Sequence, residues 1–384
     1  MATRKKPLPT AGTLPDLLLT LTALSGEFPT SLVSRLPASG SYKAYTVKQL
    51  KRENLLRTYY HAGLRGLRLT SAAKQLLTAC RPEQYLPLFT GDSTTNAPKY
   101  SVPHRLRLHR MAEVLVTMYQ AGVASFPWEK PAVFQSTPPM DGLTIEYPSY
   151  YSSREVKEIG EQAIKIRGSR ATGILLANGS IFMVYNTGSV QMKWEYKAEL
   201  RLKAMLMMEL CQHRLVDQFS DATLCGIVFG DGMGELEHLM GAGNRQAHNY
   251  FVLDGSLSHF YYLTNDHRGE LVIQLLCDPE LRTALNEILT EGLSERRPGW
   301  PVENDAMDEG GSPVLIGYTC DMPRIRRFDT ALELHEQTGT LFCFDFQAEA
   351  LRRVCGPRVT LQSIDFSAFE RSVYPYPANS LLKF

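Results

Sequence analysis

The feature that most restricts the fold of this chain is a short hairpin pattern near its amino terminus. Two β-prone stretches, Leu55–Tyr60 and Leu64–Leu69, flank the three residues His61-Ala62-Gly63. Such stretches, separated by a short connection that contains glycine, are typical of antiparallel strands joined by a tight turn. We therefore predict a small hairpin here.

The segments around this hairpin carry helix patterns. Leucines at helical spacing give the first segment an apolar face, and Thr70 is placed to cap the last one. The predicted helices are Pro15–Ser25, Thr30–Leu36, Tyr42–Glu53 and Ser71–Cys80. The order helix, helix, turn, helix, hairpin, helix is typical of a winged helix-turn-helix, which we predict for residues 1–90.

Charge divides the chain into a basic and an acidic part. Residues 1–110 hold 17 lysines and arginines against 5 acidic residues, and residues 111–384 hold 24 against 35. The net charge is therefore +12 in the first part and −11 in the second. Together with the helix-turn-helix pattern, this asymmetry predicts that the first part binds double-stranded DNA. A basic surface that only aids solubility is the alternative.

The third helix and the hairpin carry the candidate DNA contacts. We expect helix side chains that point away from Val47 and Leu50 to enter the major groove. Hairpin side chains suit phosphates or the minor groove, and the basic tail can follow a groove as a flexible arm. The candidates are Arg4, Lys5, Lys6, Lys43, Tyr45, Thr46, Gln49, Lys51, Arg57, His61, Arg65 and Arg68. A winged helix that contacts only proteins is the alternative.

The rest of the chain is predicted to form a linker region and an α/β domain. Residues 91–121 begin as a polar linker and continue as a helix, His104–Ala121, which we expect to bridge the two lobes. Residues 122–384 alternate strands with helices, which predicts helices packed on a mixed sheet. The pattern includes a hairpin across Asn178-Gly179, a helix at Glu195–Asp217 and a strand at Leu271–Cys277.

Charged residues of this second lobe are candidate catalytic groups. Asp141, Glu195 and Lys197 match the acid followed by E-x-K of metal-dependent nucleases. Glu195 and Lys197 are predicted to lie at a helix start, however, whereas the nuclease motif belongs on the second hairpin strand. Asp321 directly follows a predicted strand, and we expect it to cap the next helix. We predict no metal site and no cofactor.

Two segments resemble a known family. Gln49–Leu69 and the stretch GILLANGSIFMVYNTGSVQMKWEYKAELRLKAML, which starts at Gly173, are similar to the replication-relaxation family and to related accessory proteins of plasmids and conjugative elements. The resemblance implies a winged helix followed by a degenerate restriction-endonuclease-like core, and DNA binding during plasmid replication or transfer. That family often keeps an acid in the hairpin, where this chain has Asn186-Thr187-Gly188.

These observations predict a non-enzymatic, sequence-specific DNA-binding accessory protein or regulator. A metal-dependent nuclease and a ligand-sensing transcription factor are the alternatives, and the acidic lobe is a candidate surface for a partner protein. The seven cysteines form no C-x-x-C pair, which favours a reducing cytoplasm. No apolar stretch is long enough to span a bilayer, so no membrane partner is expected.

Overall fold

The computed structural model is a mixed α/β protein in two compact units. The first unit comprises Met1–Tyr119 with Phe126–Glu129, and the second comprises Gln120–Ser125 with Lys130–Phe384. The structure describes residues 8–90, 99–134, 144–156, 169–190, 194–212, 215, 218–219, 224–240, 251, 257–296 and 299–373. Within those residues there are thirteen α-helices and three sheets, which confirms the predicted α/β class.

The first unit contains five helices and one small sheet among its described residues. The helices are α1 Leu14–Ser25, α2 Gly40–Arg52, α3 Ser71–Cys80, α4 Pro82–Phe89 and α5 Val102–Gln120. Short 3₁₀ turns occupy Ser31–Arg35 and Pro127–Glu129. The strands are β1 Phe28–Pro29, β2 Leu56–His61 and β3 Leu64–Leu69. They pair antiparallel in the order β1-β3-β2.

Local sequence explains the hairpin and the helix that follows it. Ala62 and Gly63 both adopt positive φ, of 48° and 80°, as the two central residues of a type I′ hairpin turn do. The hydroxyl oxygen of Thr70 accepts a hydrogen bond from the backbone N–H of Ala73 at 3.1 Å, so the predicted cap of α3 is present.

The core of the first unit is built on α1, which is buried on nearly every side. Polar groups on the helix are satisfied locally, because the hydroxyls of Thr22 and Ser25 donate to the carbonyls of Leu18 and Leu21. Helix α5, which was expected to bridge the lobes, belongs to the first unit up to Tyr119. In the same unit Trp128 packs against Tyr85, with ring centroids 5.6 Å apart.

The second unit contains two mixed five-stranded sheets. Its helices are α6 Ser153–Val156, α7 Tyr196–Gln212, α8 Glu235–Met240, α9 His267–Cys277, α10 Pro279–Thr290, α11 Met322–Leu334, α12 Asp345–Val354 and α13 Phe366–Val373. Its strands are β4 Ser149–Ser152, β5 Gly173–Ala177, β6 Ser180–Gly188, β7 Leu224–Gly230, β8 His259–Thr264, β9 Ser294–Glu295, β10 Ala306–Met307, β11 Pro313–Ile316, β12 Gly339–Phe344 and β13 Val359–Ile364.

Each sheet joins an antiparallel part to a parallel part. In the first, β4, β5 and β6 pair antiparallel, and β6, β7 and β8 run parallel. In the second, β11, β12 and β13 run parallel, while β9 and β10 add an antiparallel edge. Asn178 and Gly179 take positive φ at the β5–β6 turn, as the hairpin signal in the sequence predicted. One apolar core includes residues of both sheets, among them Ile174, Val228 and Leu341.

The predicted strand Leu271–Cys277 is wrong. These residues lie in helix α9, whose start is capped by Asp266 through the backbone N–H groups of Arg268 and Gly269. The helix is buried on most sides, so its apolar run lacks the polar positions that reveal helical periodicity.

Among the residues described, no helix combines the length and the apolar character needed to cross a membrane.

Candidate nucleic-acid interface

Helix α2 turns a polar and aromatic face to solvent. Thr46 and Leu50 are its buried positions, each 1% exposed, and they lie one turn apart. The opposite face carries Tyr45, which is 54% exposed, together with Lys48 and Arg52. These three residues follow the spacing i, i+3 and i+7, so they form one continuous stripe along the helix.

This orientation overturns one sequence-based candidate on α2 and gives two others intrachain hydrogen-bond partners. Thr46 is buried in the core and therefore cannot reach DNA. Lys43 donates from Nζ to the carbonyl oxygen of Ser34 at 2.5 Å, and Gln49 donates from Nε2 to Glu53 at 2.9 Å. Lys51 is half-buried. Tyr45 is exposed as predicted, and the exposed Lys48 and Arg52 were not among the predicted contacts.

The two faces of the hairpin differ in their surroundings. The register pairs Tyr60 with Arg65 on one face and Arg57 with Arg68 on the other. Arg65 is exposed. The pKa of the Lys51 amine in α2 is lowered, mainly by burial and also by the positive charge of the nearby Arg65. Arg65 thus lies on the side of the sheet that adjoins α2, whereas Arg57 lies on the opposite side. Arg57 and His61 are exposed, as the sequence analysis expected.

Arg68 is not a surface residue, which corrects another candidate. Its guanidinium donates from Nε and Nη2 to Glu27 Oε2, at 2.8 and 2.6 Å, and also to the carbonyl of Lys99. Arg105 of α5 lies on the same carboxylate, with Nη2 at 2.5 Å from Oε1, and its side chain is fully buried. His109 Nε2 lies 2.9 Å from Oε1. We call Glu27, Arg68, Arg105 and His109 the Glu27 cluster.

The Glu27 cluster fixes the hairpin to the rest of the unit. Arg105 donates to the backbone carbonyls of Tyr59, His61 and Leu64, at 3.3, 3.0 and 3.1 Å. Glycine is required at position 66, because a Cβ there would lie 2.2 Å from Glu27 Oε1. The hairpin is therefore held by side chains that come from the β1 region and from α5.

The buried and exposed cations of this unit differ in how their charge is balanced. Arg68 and Arg105 share a carboxylate, whereas four cations of α2 and β3 form no ion pair with any described residue. Those four are Lys48, Lys51, Arg52 and Arg65. Neighbouring cations without acids repel one another in the free protein, and a polyanion relieves that repulsion. We call Tyr45, Lys48, Lys51, Arg52 and Arg65 the α2–β3 face.

The remaining sequence candidates lie elsewhere. Arg4, Lys5, Lys6 and Asp141 fall outside the described residues. Glu195 and Lys197 are exposed around the start of α7, as predicted, and strand β6 carries no acid. Within the described ranges no three His, Cys, Asp or Glu side chains are grouped to hold a metal.

Comparison of the chain with protein-family models, with curated proteins and with solved structures gives no match.

The Glu27 cluster predicts that the first unit loses stability in acid. Burial alone raises the pKa of Glu27, but hydrogen bonds from His109, Arg105 and Arg68 outweigh it and lower the pKa to about 2, against 4.5 for a free glutamate. A carboxyl with a depressed pKa stabilises the fold above its unfolded value, and this contribution is lost as the pH falls through the folded value.

We therefore expect the urea midpoint of the first unit to fall between about pH 4.5 and about pH 2. Trp128 fluorescence reports on this unit when Trp194 and Trp300, the other two tryptophans, are replaced by phenylalanine. In a Glu27→Gln background the fall should be smaller. The same steep fall in both backgrounds would assign the acid sensitivity to other carboxyls.

Proposed function

We propose that the first unit is a winged helix-turn-helix that binds double-stranded DNA, with α2 as the recognition helix and β2–β3 as the wing. The observation that carries the proposal is the α2–β3 face, where four cations lack an acidic partner among the described residues. The order of elements, with α2 directly before the hairpin and α3 directly after it, also supports it.

The face combines the two kinds of contact that DNA recognition uses. A helix fits the major groove, where Tyr45 would meet base edges and Lys48 and Arg52 would meet phosphates. Arg65, at the side of α2, is placed for the adjacent phosphate backbone. Lys43 and Gln49 were expected to read bases, but intrachain hydrogen bonds engage both, so this role passes to Tyr45.

Within this proposal the protein is a non-enzymatic accessory or regulator of a plasmid or conjugative element. One support is the resemblance of Gln49–Leu69 and of the stretch starting at Gly173 to such proteins. The other is that Glu195 and Lys197 are exposed around the start of α7 and not on β6, where the nuclease motif belongs. The acidic second part, with a net charge of −11, repels the same polyanion and suits a protein or small-molecule partner.

The proposal is tested by the salt dependence of DNA binding by the full chain. Fluorescence anisotropy with a labelled duplex of mixed sequence should give an affinity that falls steeply with salt, with a slope of about −0.9 per phosphate contact. Four cationic contacts correspond to a slope of roughly −3.6. An affinity that does not change with salt, or no binding at low salt, would contradict DNA binding by this face.

Substitutions in the helix and in the wing should differ in their effect on the preferred DNA sequence. Selection from random duplexes is expected to give a different preferred site for Tyr45→Ala than for the unchanged protein, because a base contact contributes about 1–3 kcal/mol of discrimination. Arg65→Ala should leave the preferred site unchanged and weaken binding to all sequences by a similar factor. If Arg65→Ala changed the selected site and Tyr45→Ala did not, the roles of α2 and the hairpin would be reversed.

A further inference from the structure

The second unit contains a polar cavity that DNA binding does not use. Its volume is about 340 Å³, within the range of small-molecule sites. It lies where the loop after β11 meets the amino-terminal ends of β7 and β8 and one side of α10. Tyr318, Cys225, His259 and Arg282 line it from those four elements.

Most charged groups in this cavity are already paired within the protein. Arg324 donates to Glu303 at 2.9 Å and to Asp305 at 2.5 Å. His259 Nδ1 lies 2.6 Å from Asp321 Oδ2, and Asp321 also accepts the backbone N–H of Phe260 at 3.2 Å. Asp321 therefore does not cap α11 with its side chain, which corrects the sequence expectation.

Arg282 is the exception. It is half-buried on α10 and lines the cavity, but its guanidinium has no acidic partner among the residues that the structure describes. A guanidinium offers five donors in a planar fork, and that fork matches the two oxygens of a carboxylate or a phosphate. The cavity thus has one cation whose donors remain open to a ligand.

Two tyrosines near Arg282 are neutral hydrogen-bonding groups. Tyr318 Oη lies 2.7 Å from Asn286 Oδ1, and burial raises the pKa of this phenol well above its ordinary value. Burial and the nearby charge of Asp321 raise the pKa of Tyr261 in the same way. Both phenols keep their protons at neutral pH, so neither competes with a bound anion for Arg282.

We propose that this cavity binds a small organic molecule with one carboxylate or phosphate group, which Arg282 receives. His259 and the neutral phenols of Tyr261 and Tyr318 surround the remainder of the ligand with hydrogen-bonding groups. The volume admits a molecule of metabolite size. The inference concerns the second unit alone, so it stands or falls independently of DNA binding.

The test uses the full chain without DNA. Isothermal titration at constant ionic strength is carried out with inorganic phosphate and, separately, with succinate, to distinguish the two oxyanion chemistries. We expect saturable binding of at least one probe at a single site. Arg282→Gln should weaken that binding at least tenfold, and Arg352→Gln, which removes an exposed arginine of α12 outside the cavity, should leave it unchanged.

Each other outcome overturns the proposal. Absence of saturable binding of both probes to the unchanged protein would show that Arg282 receives no oxyanion. Equal binding by Arg282→Gln and the unchanged protein would place the anion elsewhere on the surface. Circular dichroism of Arg282→Gln shows whether that variant is still folded. Arg282→Lys, which keeps the charge but not the planar fork, should restore part of the affinity.

Discussion

Replacing Glu27 with glutamine is expected to destabilise the first unit by about 3–5 kcal/mol, the usual cost of removing one partner from a buried ion pair. The substitution conserves size but leaves Arg68 and the fully buried Arg105 without a counter-charge. The loss should appear as a lower urea midpoint of Trp128 fluorescence in the background with Trp194 and Trp300 replaced by phenylalanine.

Glu83→Gln provides the matched control for this measurement. Glu83 is exposed on α4, and the same chemical change there should alter the unfolding free energy by less than about 0.5 kcal/mol. If Glu27→Gln were as stable as Glu83→Gln, the carboxylate would not be the group that balances the two arginines.

The triple variant Lys48→Ala, Arg52→Ala and Arg65→Ala is expected to lose most of the DNA affinity. Each lost phosphate contact reduces the salt slope by about 0.9. Over the decade between about 1 M and about 0.1 M salt, that slope corresponds to roughly eightfold in affinity. Three contacts therefore correspond to a loss of roughly 500-fold and to a slope that is shallower by about 2.7. Fluorescence anisotropy of the full chain across a salt series measures both quantities.

A second triple variant with the same change of charge separates local contacts from net charge. Lys197, Arg201 and Arg352 are exposed cations of the second unit, and their replacement by alanine should reduce the affinity by less than about tenfold, through long-range electrostatics alone. Arg57→Ala adds a closer control, because Arg57 is an exposed cation of the same hairpin on the opposite face from Arg65. Equal losses in both triple variants would show that the α2–β3 face makes no direct contact.

Local signals in the sequence account for much of the first unit. The hairpin turn, the Thr70 cap and the bounds of α3 follow from neighbouring residues, and α2 was placed within two residues of its observed start. The side of α2 that faces the core was predicted less well. The sequence predicted Val47 and Leu50 as inward positions. Leu50 is buried, but Thr46 is buried in place of Val47, so one of the two inward positions shifts by one residue, or about 100° around the helix.

The interactions that the sequence did not reveal are those between distant residues. Glu27 meets Arg68, 41 positions away, and Arg105, 78 positions away, and no periodicity or motif encodes such a pairing. For that reason Arg68 was expected at the surface among the other basic residues. The hydrogen bond between Asp321 and His259, which are 62 positions apart, could not be predicted for the same reason.

Arg105 also determines where the proposed DNA-binding module can be separated from the rest of the gene. A protein that ended after Thr90 would keep every element from α1 to α4, but the carbonyls of Tyr59, His61 and Leu64 would lose their common donor. Transfer of the module to another protein by recombination would therefore have to include α5, and also the turn in which Trp128 packs against Tyr85. The unit that would have to be inherited together for the proposed DNA binding thus extends to Glu129, well beyond the residues in which a helix-turn-helix pattern can be recognised.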